Sequence, residues 1–205
     1  MSSYSNTDTG SKTADPYKAA NKDEQSAEQK ITALTKFISS TKFGMMTTRD
    51  LATGRLVSRC MAVAAKENAG IDLLFFTNTE SGKTDEIKFD SHTNVSFLDS
   101  NGQWASVSGT STIETDRALI REHYTPTLKA WVGDLGDGTH DGSENDPRIG
   151  IIRVKTETAT YSVSDSTLLG FAIEVAKGAV TGRPANVAKL REISESEISQ
   201  WRSSH

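Results

Sequence analysis

The run Ile71-Asp72-Leu73-Leu74-Phe75-Phe76-Thr77, followed by Asn78-Thr79-Glu80-Ser81-Gly82-Lys83-Thr84, is the most informative stretch of the sequence for the fold class. Its first half is dense in Leu and Phe, which predicts a central strand over 71–77. Its second half contains turn-forming residues and then Ser81, which is typical of the residue that precedes a helix. We therefore expect a strand that passes through a turn into a short helix over 82–89.

Strand patterns separated by turns occupy both sides of this stretch. The predicted strands cover 43–48 and 55–65 before it, and 94–99, 104–114 and 148–163 after it. An amphipathic helix precedes them, because Ile31, Leu34, Phe37 and Ile38 recur at helical spacing before Lys42. Further short helices are expected at 116–123 and 127–132, and either a short helix or a bent strand at 167–177. Antiparallel strands with short peripheral helices predict a mainly β fold, a barrel or sandwich rather than a doubly wound sheet.

Length and composition suit one compact domain with polar ends. The chain has 205 residues, of which 35% are hydrophobic, and the large apolar residues are concentrated in its middle. We expect a disordered N-terminal tail over 1–22, one domain over 23–178 and a polar C-terminal tail over 179–205. The Gly- and Asp-rich segment 133–147 is expected to be a loop, and long loops often cover ligand sites.

Charge and cysteine content argue against several classes of protein. The net charge is −4, with acidic and basic residues interspersed, which argues against a nucleic-acid-binding protein. Cys60 is the single cysteine, and no apolar stretch is long enough to span a bilayer, so we expect a cytoplasmic protein with no membrane association. The acidic loop lacks EF-hand spacing and the histidines lack ligand spacing, so no metal site is expected.

The first candidate binding residue is in Leu56-Val57-Ser58-Arg59-Cys60-Met61-Ala62-Val63. Strand alternation puts Arg59 on the same face as Val57, Met61 and Val63. A guanidinium group in an apolar row needs an anion to offset its desolvation. Taken alone, the pattern favours an arginine paired with a neighbouring carboxylate.

The second candidate is the turn that contains Ser81 and Lys83. The amides after Ser81 point toward the helix N-terminus, which is a ready anion site. Lys83 lies in the first helical turn, where the helix dipole disfavours a cation unless an anion is bound there. A solvated surface lysine is the alternative, but Arg59, Ser81 and Lys83 together predict a phosphate site.

Trp104 is the third candidate, at the start of a strand beside the Asn101-Gly102 turn. A tryptophan at such a rim can stack on a planar ligand or pack against a partner subunit. Ordinary packing within the chain is the alternative.

Together these segments resemble the FMN-binding split barrel of the pyridoxamine 5'-phosphate oxidase superfamily. The motifs that carry the resemblance are Phe43-Gly44-Met45-Met46-Thr47-Thr48, Ser58-Arg59-Cys60-Met61-Ala62, Phe75-Phe76-Thr77-Asn78 with Ser81-Gly82-Lys83, Trp104-Ala105-Ser106-Val107-Ser108-Gly109, and the strand from Asp146 to Val154. The chain is similar to the bacterial general stress proteins and the blue-light-induced fungal proteins of that group. The resemblance covers roughly residues 30–165.

This resemblance implies a split β-barrel with peripheral short helices that binds FMN. It implies cofactor contacts for nine residues: Arg59 and Lys83 at the phosphate with Ser81 in the same turn, backbone groups of Cys60, Met61 and Ala62 along the flavin edge, Phe76 and Thr77 at the ribityl chain or ring, and Trp104 at the flavin. The family builds its two flavin sites at a homodimer interface, often with the tryptophan position supplied by the second subunit. We therefore expect a homodimer.

The function that this resemblance implies is a flavin-dependent oxidoreductase in stress or redox response, with a small molecule or NAD(P)H as electron donor. Hydride can pass directly to the flavin, so no catalytic side chain is predicted. A non-catalytic protein that sequesters flavin and a flavin-free dimeric interaction module remain open, as do FAD, a deazaflavin or heme in place of FMN.

True pyridoxamine-phosphate oxidase activity is not expected. The oxidases usually have Ser-Arg-Lys where this chain has Ser81-Gly82-Lys83. They also carry a C-terminal segment that binds pyridoxal phosphate, for which 178–205 offers no counterpart.

Overall fold

The computed structural model describes residues 16–23, 25–164, 168–183, 185 and 187–205. Within these residues one eight-stranded sheet contains β1 Phe43–Arg49, β2 Leu56–Ala62, β3 Ala65–Glu67, β4 Asp72–Asn78, β5 His92–Leu98, β6 Trp104–Glu114, β7 Ile149–Val163 and β8 Lys189–Ile193. The helices are α1 Pro16–Asn21, α2 Ala27–Thr41, α3 Gly82–Phe89, α4 Arg117–His123, α5 Lys129–Val132, α6 Leu168–Thr181 and α7 Glu195–Ser204, with a 3₁₀ turn over Pro126–Leu128. Among these described helices, none combines the length and apolar character needed to cross a membrane.

All strand pairs in the sheet are antiparallel, in the order β2-β1-β5-β6-β7-β4-β3. The long strand β7 pairs with β6 along its length, with β4 over its first half and with β8 over its second half. The sheet curls until the end of β2 approaches β4, where the Ala64 N–H donates to the carbonyl oxygen of Leu74 at 2.8 Å. The predicted split β-barrel is therefore confirmed.

Helix α2 packs one face against the main core, as its apolar spacing predicts. Ser26 and Gln29 form a capping box at its start, which satisfies backbone N–H groups that the first turn leaves unpaired. Its apolar face, formed by Ile31, Leu34, Phe37 and Ile38, is buried in the main core.

The strand β4 is buried on both faces, although it lies only one strand from the end of the sheet. Leu73 and Phe75 point into the main core, while Leu74 packs with Ile120 and Ile149 in a second cluster. The 71–77 run is therefore apolar because α4 and the following turn cover its outer face, not because the strand is central.

The single strand predicted over 55–65 is two strands, because the chain changes partner between them. Val63 donates its N–H to the carbonyl of Lys42, and Ala64 donates to Leu74. The chain thus leaves β1 at Ala62 and joins β4 at Ala65.

Residues 179–205, expected to form a polar tail, instead contain β8 and α7, which pack on the barrel. Ile193 and Ile198 are buried in the main core, and Arg202 donates to the carboxylate of Asp72 and the carbonyl of Thr156. The segment is polar overall, but a few well-spaced apolar residues are enough to anchor it. The ambiguous 167–177 region contributes to a helix, α6, from Leu168.

The end of the predicted N-terminal tail is also structured, while its residues 1–15 lie outside the described part of the chain. Asn21 is buried, and its amide donates to the carbonyls of Tyr17 and Ala185. Its side-chain oxygen accepts from the N–H groups of Val187 and Ala188. A fully hydrogen-bonded buried amide thus ties α1 to the segment before β8.

Candidate functional site

The predicted phosphate residues converge where β2 approaches the turn after β4. Arg59 pairs in register with Met46, whose side chain is buried, so Arg59 also points to the inner face of the barrel. Ser81 and Lys83 begin α3, and the charges of Arg59 and Lys83 interact. A strand residue and two residues at the start of a helix thus form a common cationic site, which we call the cradle (Arg59, Ser81, Lys83).

Arg59 is held by two oxygen atoms inside the barrel. Its Nη2 donates to Glu86 Oε2 at 2.6 Å, and its Nη1 donates to Thr48 Oγ1. The Thr48 hydroxyl in turn donates to the same Glu86 oxygen. Arg59 is therefore paired with a carboxylate, as its strand pattern alone favours, and it also lies in the predicted cradle.

Lys83 is held from the other side of the cradle. Its Nζ donates to Ser81 Oγ at 2.8 Å, and Ser81 Oγ donates to the carbonyl of Asn78 at 2.6 Å. Ser81 occupies the predicted N-cap position, but its side chain makes no capping bond to the helix, because it bonds to Asn78 instead. Thr84 secures the turn by donating its hydroxyl to the carbonyl of Thr79.

The electrostatics of the cradle indicate a shortage of negative charge. Burial lowers the pKa of Lys83, and the positive charge of Arg59 lowers it further, while Glu86 opposes both effects. Two cations thus share one carboxylate. A phosphate monoester, which carries about two negative charges at neutral pH, fits this arrangement.

The residues of β2 divide between two faces. Met61 packs against the main core, whereas Cys60 and Ala62 are exposed on the outer face. Among the described strands β2 pairs with β1 alone, so its other backbone edge faces the split in the barrel. The contact of the backbone groups of residues 60–62 with a flavin edge stays a prediction.

Phe76 and Thr77 lie on opposite faces of β4 and cannot contact one ligand through the same face. Thr77 is buried on the barrel side and donates its hydroxyl to the carbonyl of Asn78. Phe76 packs into the second cluster with Ile120 and Leu128. The structure thus brings Thr77, but not the ring of Phe76, to the cradle side of the strand.

Trp104 lies on the outer face of the sheet, away from the inward side chain of Arg59. It is 37% exposed and pairs in register with Leu98, which is 68% exposed. Phe43 and Met45 are exposed on the same face of β1. We call these four side chains, Phe43, Met45, Leu98 and Trp104, the outer apolar patch.

Sequence reasoning missed Thr48 and Glu86. Glu86 follows Lys83 by three residues in α3, a spacing that puts both side chains on one face of a helix. Thr48 follows Met46 by two residues in β1, a spacing that puts both on the inner face. Both signals were present, but nothing local linked either residue to Arg59.

The acidic loop 133–147 uses its carboxylates to organise its own backbone. Asp134 accepts from Gly136 N–H, and Asp137 accepts from the N–H groups of Thr139 and His140. The Asp137 carboxylate also raises the pKa of the His140 imidazole through a side-chain hydrogen bond. Across the described residues, no three His, Cys, Asp or Glu side chains are grouped so as to hold a metal ion.

Comparison with known proteins identifies the family. The family model described as "Pyridoxamine 5'-phosphate oxidase like" matches residues 29–186, which include all three residues of the cradle. The chain belongs to the pyridoxamine 5'-phosphate oxidase-like family. The resemblance drawn from the short motifs is therefore confirmed.

The chain is similar to Protein bli-3 of Neurospora crassa, with 62% identity over 204 residues. The match covers 98% of this chain and 98% of that protein. A Clostridium acetobutylicum protein related to general stress protein 26 of B. subtilis shares the fold, with a TM-score of 0.57 at 18% identity over 83% of this chain and 98% of that chain. The general stress FMN/FAD binding protein of Xanthomonas citri also shares it, with a TM-score of 0.54 at 20% identity over 66% of this chain and 89% of that chain.

Proposed function

We propose that this chain binds FMN and acts as a flavin-dependent oxidoreductase in stress or redox response. The observation that carries the proposal is the cradle, in which Arg59 and Lys83 share the single carboxylate of Glu86. A phosphate monoester would supply the negative charge that the two cations lack there. FMN carries such a group, whereas FAD carries a diphosphate with its charge spread over two phosphorus atoms, so the cradle favours FMN.

The residues around the cradle would each have a separate role toward the cofactor. Arg59 and Lys83 would bind the phosphate, Ser81 would hold Lys83 in place, and Thr77 would line the barrel side of the site. The exposed backbone edge of β2 at residues 60–62 would border the ring. A bound flavin would supply the capacity to accept and return a hydride.

The chemistry requires no acid or base from the protein, and we assign no catalytic side chain. A small molecule or NAD(P)H would serve as electron donor. Two of the three arginines in 178–205 support the expectation that pyridoxal phosphate is not the substrate, since Arg191 is paired with Asp23 and Arg202 with Asp72. Both guanidinium groups are thus engaged in holding the C-terminal segment on the barrel.

We further propose a homodimer that buries the outer apolar patch. Phe43, Leu98 and Trp104 expose large apolar side chains on one face of the sheet, which is typical of a surface that a partner covers. Trp104 and Arg59 lie on opposite faces, so contact of both with the same flavin requires that they come from different subunits.

The visible absorption spectrum of the purified protein, recorded with and without added FMN, tests the cofactor assignment. Flavin bands shifted from those of free FMN are expected. Anaerobic addition of NADPH or NADH should then bleach the bound flavin. Binding without reduction by any donor would favour the alternative, a protein that sequesters flavin, and a protein that takes up no FMN would contradict the proposal.

A further inference from the structure

The contacts of Arg59 form a closed ring with two residues outside the predicted site. Arg59 donates to both Thr48 and Glu86, and Thr48 donates to the same oxygen of Glu86 that accepts from Arg59. We call this ring the arginine bracket (Thr48, Arg59, Glu86). Each member is hydrogen-bonded to the other two, and this restrains the orientation of the guanidinium group.

Burial makes the bracket an enclosed structure rather than a surface ion pair. Thr48 is fully buried, and the side chains of Glu86 and Arg59 are 13% and 24% exposed. Exposed ion pairs contribute little because water screens them and because their side chains lose entropy. The Arg59–Glu86 pair is mostly buried, so it is screened less by water than an exposed ion pair.

The bracket leaves part of the guanidinium group available. A guanidinium carries five N–H donors, and the described contacts of Arg59 use one on each terminal nitrogen. The remaining donors, including the one on Nε, are free to bind a phosphate oxygen. Glu86 therefore does not occupy the whole binding edge of Arg59.

Glu86 also belongs to the element that carries Lys83. Both residues lie in α3, and the carboxylate raises the pKa of the Lys83 amine against the effects of burial and Arg59. One carboxylate thus acts on both cations of the cradle. Its position in the helix determines where the two positive charges stand relative to each other.

We propose that Glu86, together with Thr48, is the positioning residue that orients Arg59 for the flavin phosphate. This inference rests on the proposed function and deepens it. The opposite role for Glu86 is that of a resident anion that competes with the phosphate for Arg59. The two roles differ in sign, because removal of a positioning group weakens phosphate binding and removal of a competitor strengthens it.

The test compares FMN with riboflavin, which lacks the phosphate, in binding titrations of the full chain. Glu86→Ala should weaken FMN by about tenfold or more, as expected for the loss of a hydrogen bond to a charged group, and should leave riboflavin unchanged. Glu86→Gln keeps an oxygen acceptor and should restore FMN affinity to within about threefold. Thr48→Val should weaken FMN in the same direction as Glu86→Ala.

The matched control is Asp85→Asn, which removes one negative charge from the neighbouring, solvent-exposed position of α3. It should change neither affinity. The positioning role is overturned if Glu86→Ala binds FMN as tightly as the parent or more tightly, or if Asp85→Asn weakens FMN equally. Equal weakening of FMN and riboflavin by Glu86→Ala would also overturn it, because the effect would then be general damage to the site.

A second measurement separates this inference from the proposed function. Arginine side-chain ¹⁵N NMR of the protein without added flavin should show a slowly rotating Arg59 guanidinium, assigned with Arg59→Lys, that Glu86→Ala averages and Asp85→Asn does not. A freely rotating Arg59 in the parent overturns the positioning role whether or not flavin binds. The parent could instead show a slowly rotating Arg59 but no preference for FMN over riboflavin. That result contradicts the proposed phosphate site and leaves the bracket established.

Discussion

The carbonyl oxygen of Arg148 accepts two hydrogen bonds from Thr79, one from the backbone N–H at 2.8 Å and one from the hydroxyl at 3.1 Å. Thr79 belongs to the turn that leads to Ser81 and Lys83. The guanidinium of Arg148 donates to the carboxylate of Asp146 and to the carbonyl oxygen of Gly133. The acidic loop and the cradle turn therefore share one anchor.

Loss of the Asp146 carboxylate should destabilise the protein strongly. Asp146 and Arg148 are both buried, and removal of one partner from a buried ion pair costs about 3 kcal/mol or more. We expect Asp146→Ala to lose that much in chemical denaturation and also to weaken FMN binding. Asp134→Ala, which removes an exposed carboxylate from the same loop, should cost much less than Asp146→Ala, because water screens exposed charges. Similar losses for the two variants would contradict the anchoring role.

The pH dependence of this anchor follows from the lowered pKa of Asp146, about 2, which is caused mainly by its hydrogen bond from Arg148. A carboxyl group with a lowered pKa in the folded state stabilises the protein above its ordinary pKa. That contribution is lost as the pH falls through 2. Asp146→Ala should therefore show a weaker acid destabilisation than the parent in denaturation series between neutral and acidic pH.

Replacement of Arg59 by Ala should weaken FMN far more than riboflavin. On the proposed assignment the lost contact is a charge-assisted hydrogen bond to phosphate, and we expect a decrease in FMN affinity of about 10- to 100-fold. Arg49→Ala is the matched control, because that arginine pairs with Asp90 on the outer face. Titration calorimetry measures both ligands, and an equal effect on FMN and riboflavin would rule out the phosphate assignment.

The preference for FMN over riboflavin should decrease at alkaline pH. The pKa of Lys83 lies below its ordinary value of 10.5, chiefly because of burial, so the amine loses its charge earlier than a solvated lysine. If Lys83 binds the phosphate as we propose, the charged amine is needed, and the ratio of the FMN and riboflavin affinities should fall as the pH rises through that pKa. Lys83→Arg should keep the ratio constant over the same range, and a parent ratio that is independent of pH would argue against a role for Lys83.

The Lys83 amine should also make the stability of the flavin-free protein depend on pH, but in the opposite direction to its effect on FMN binding. Between the lowered folded pKa and the unfolded pKa, the unfolded chain binds more protons at Lys83. The contribution of Lys83 to the free energy of unfolding therefore rises with pH in this range. The free energy of unfolding, measured by denaturant titration, should therefore rise more steeply with pH in the parent than in Lys83→Met.

A charge in the outer apolar patch should dissociate the homodimer. Leu98→Lys places an ammonium group on the face that we propose a second subunit covers, where burial of an unpaired charge is strongly unfavourable. Analytical ultracentrifugation should show a dimer for the parent and a monomer for this variant. Leu135→Lys changes an equally exposed leucine in the acidic loop and should stay dimeric. A monomeric parent would contradict the proposed interface.

Local periodicity in the sequence was sufficient for β1, β4, β5, β6 and β7, for α2 and for the inward direction of Arg59. Alternation over 56–63 correctly placed Arg59 on the inner face, and the apolar spacing from Ile31 to Ile38 correctly predicted a buried helix face. These features depend on residues a few positions apart, whose relative directions are set by the geometry of a strand or helix alone. The motifs around Arg59, Lys83 and Trp104 also indicated the family.

The tertiary structure alone determined what surrounds these residues. Glu86 contacts Arg59, which is 27 positions away in the sequence, and Thr48, which is 38 positions away. Arg202 contacts Asp72, which is 130 positions away. Such contacts depend on how the sheet curls and on which strands meet at the split, and neither is encoded in local spacing. For the same reason the sequence could not show that Phe76 packs beneath α4, or that the polar C-terminal segment completes the barrel.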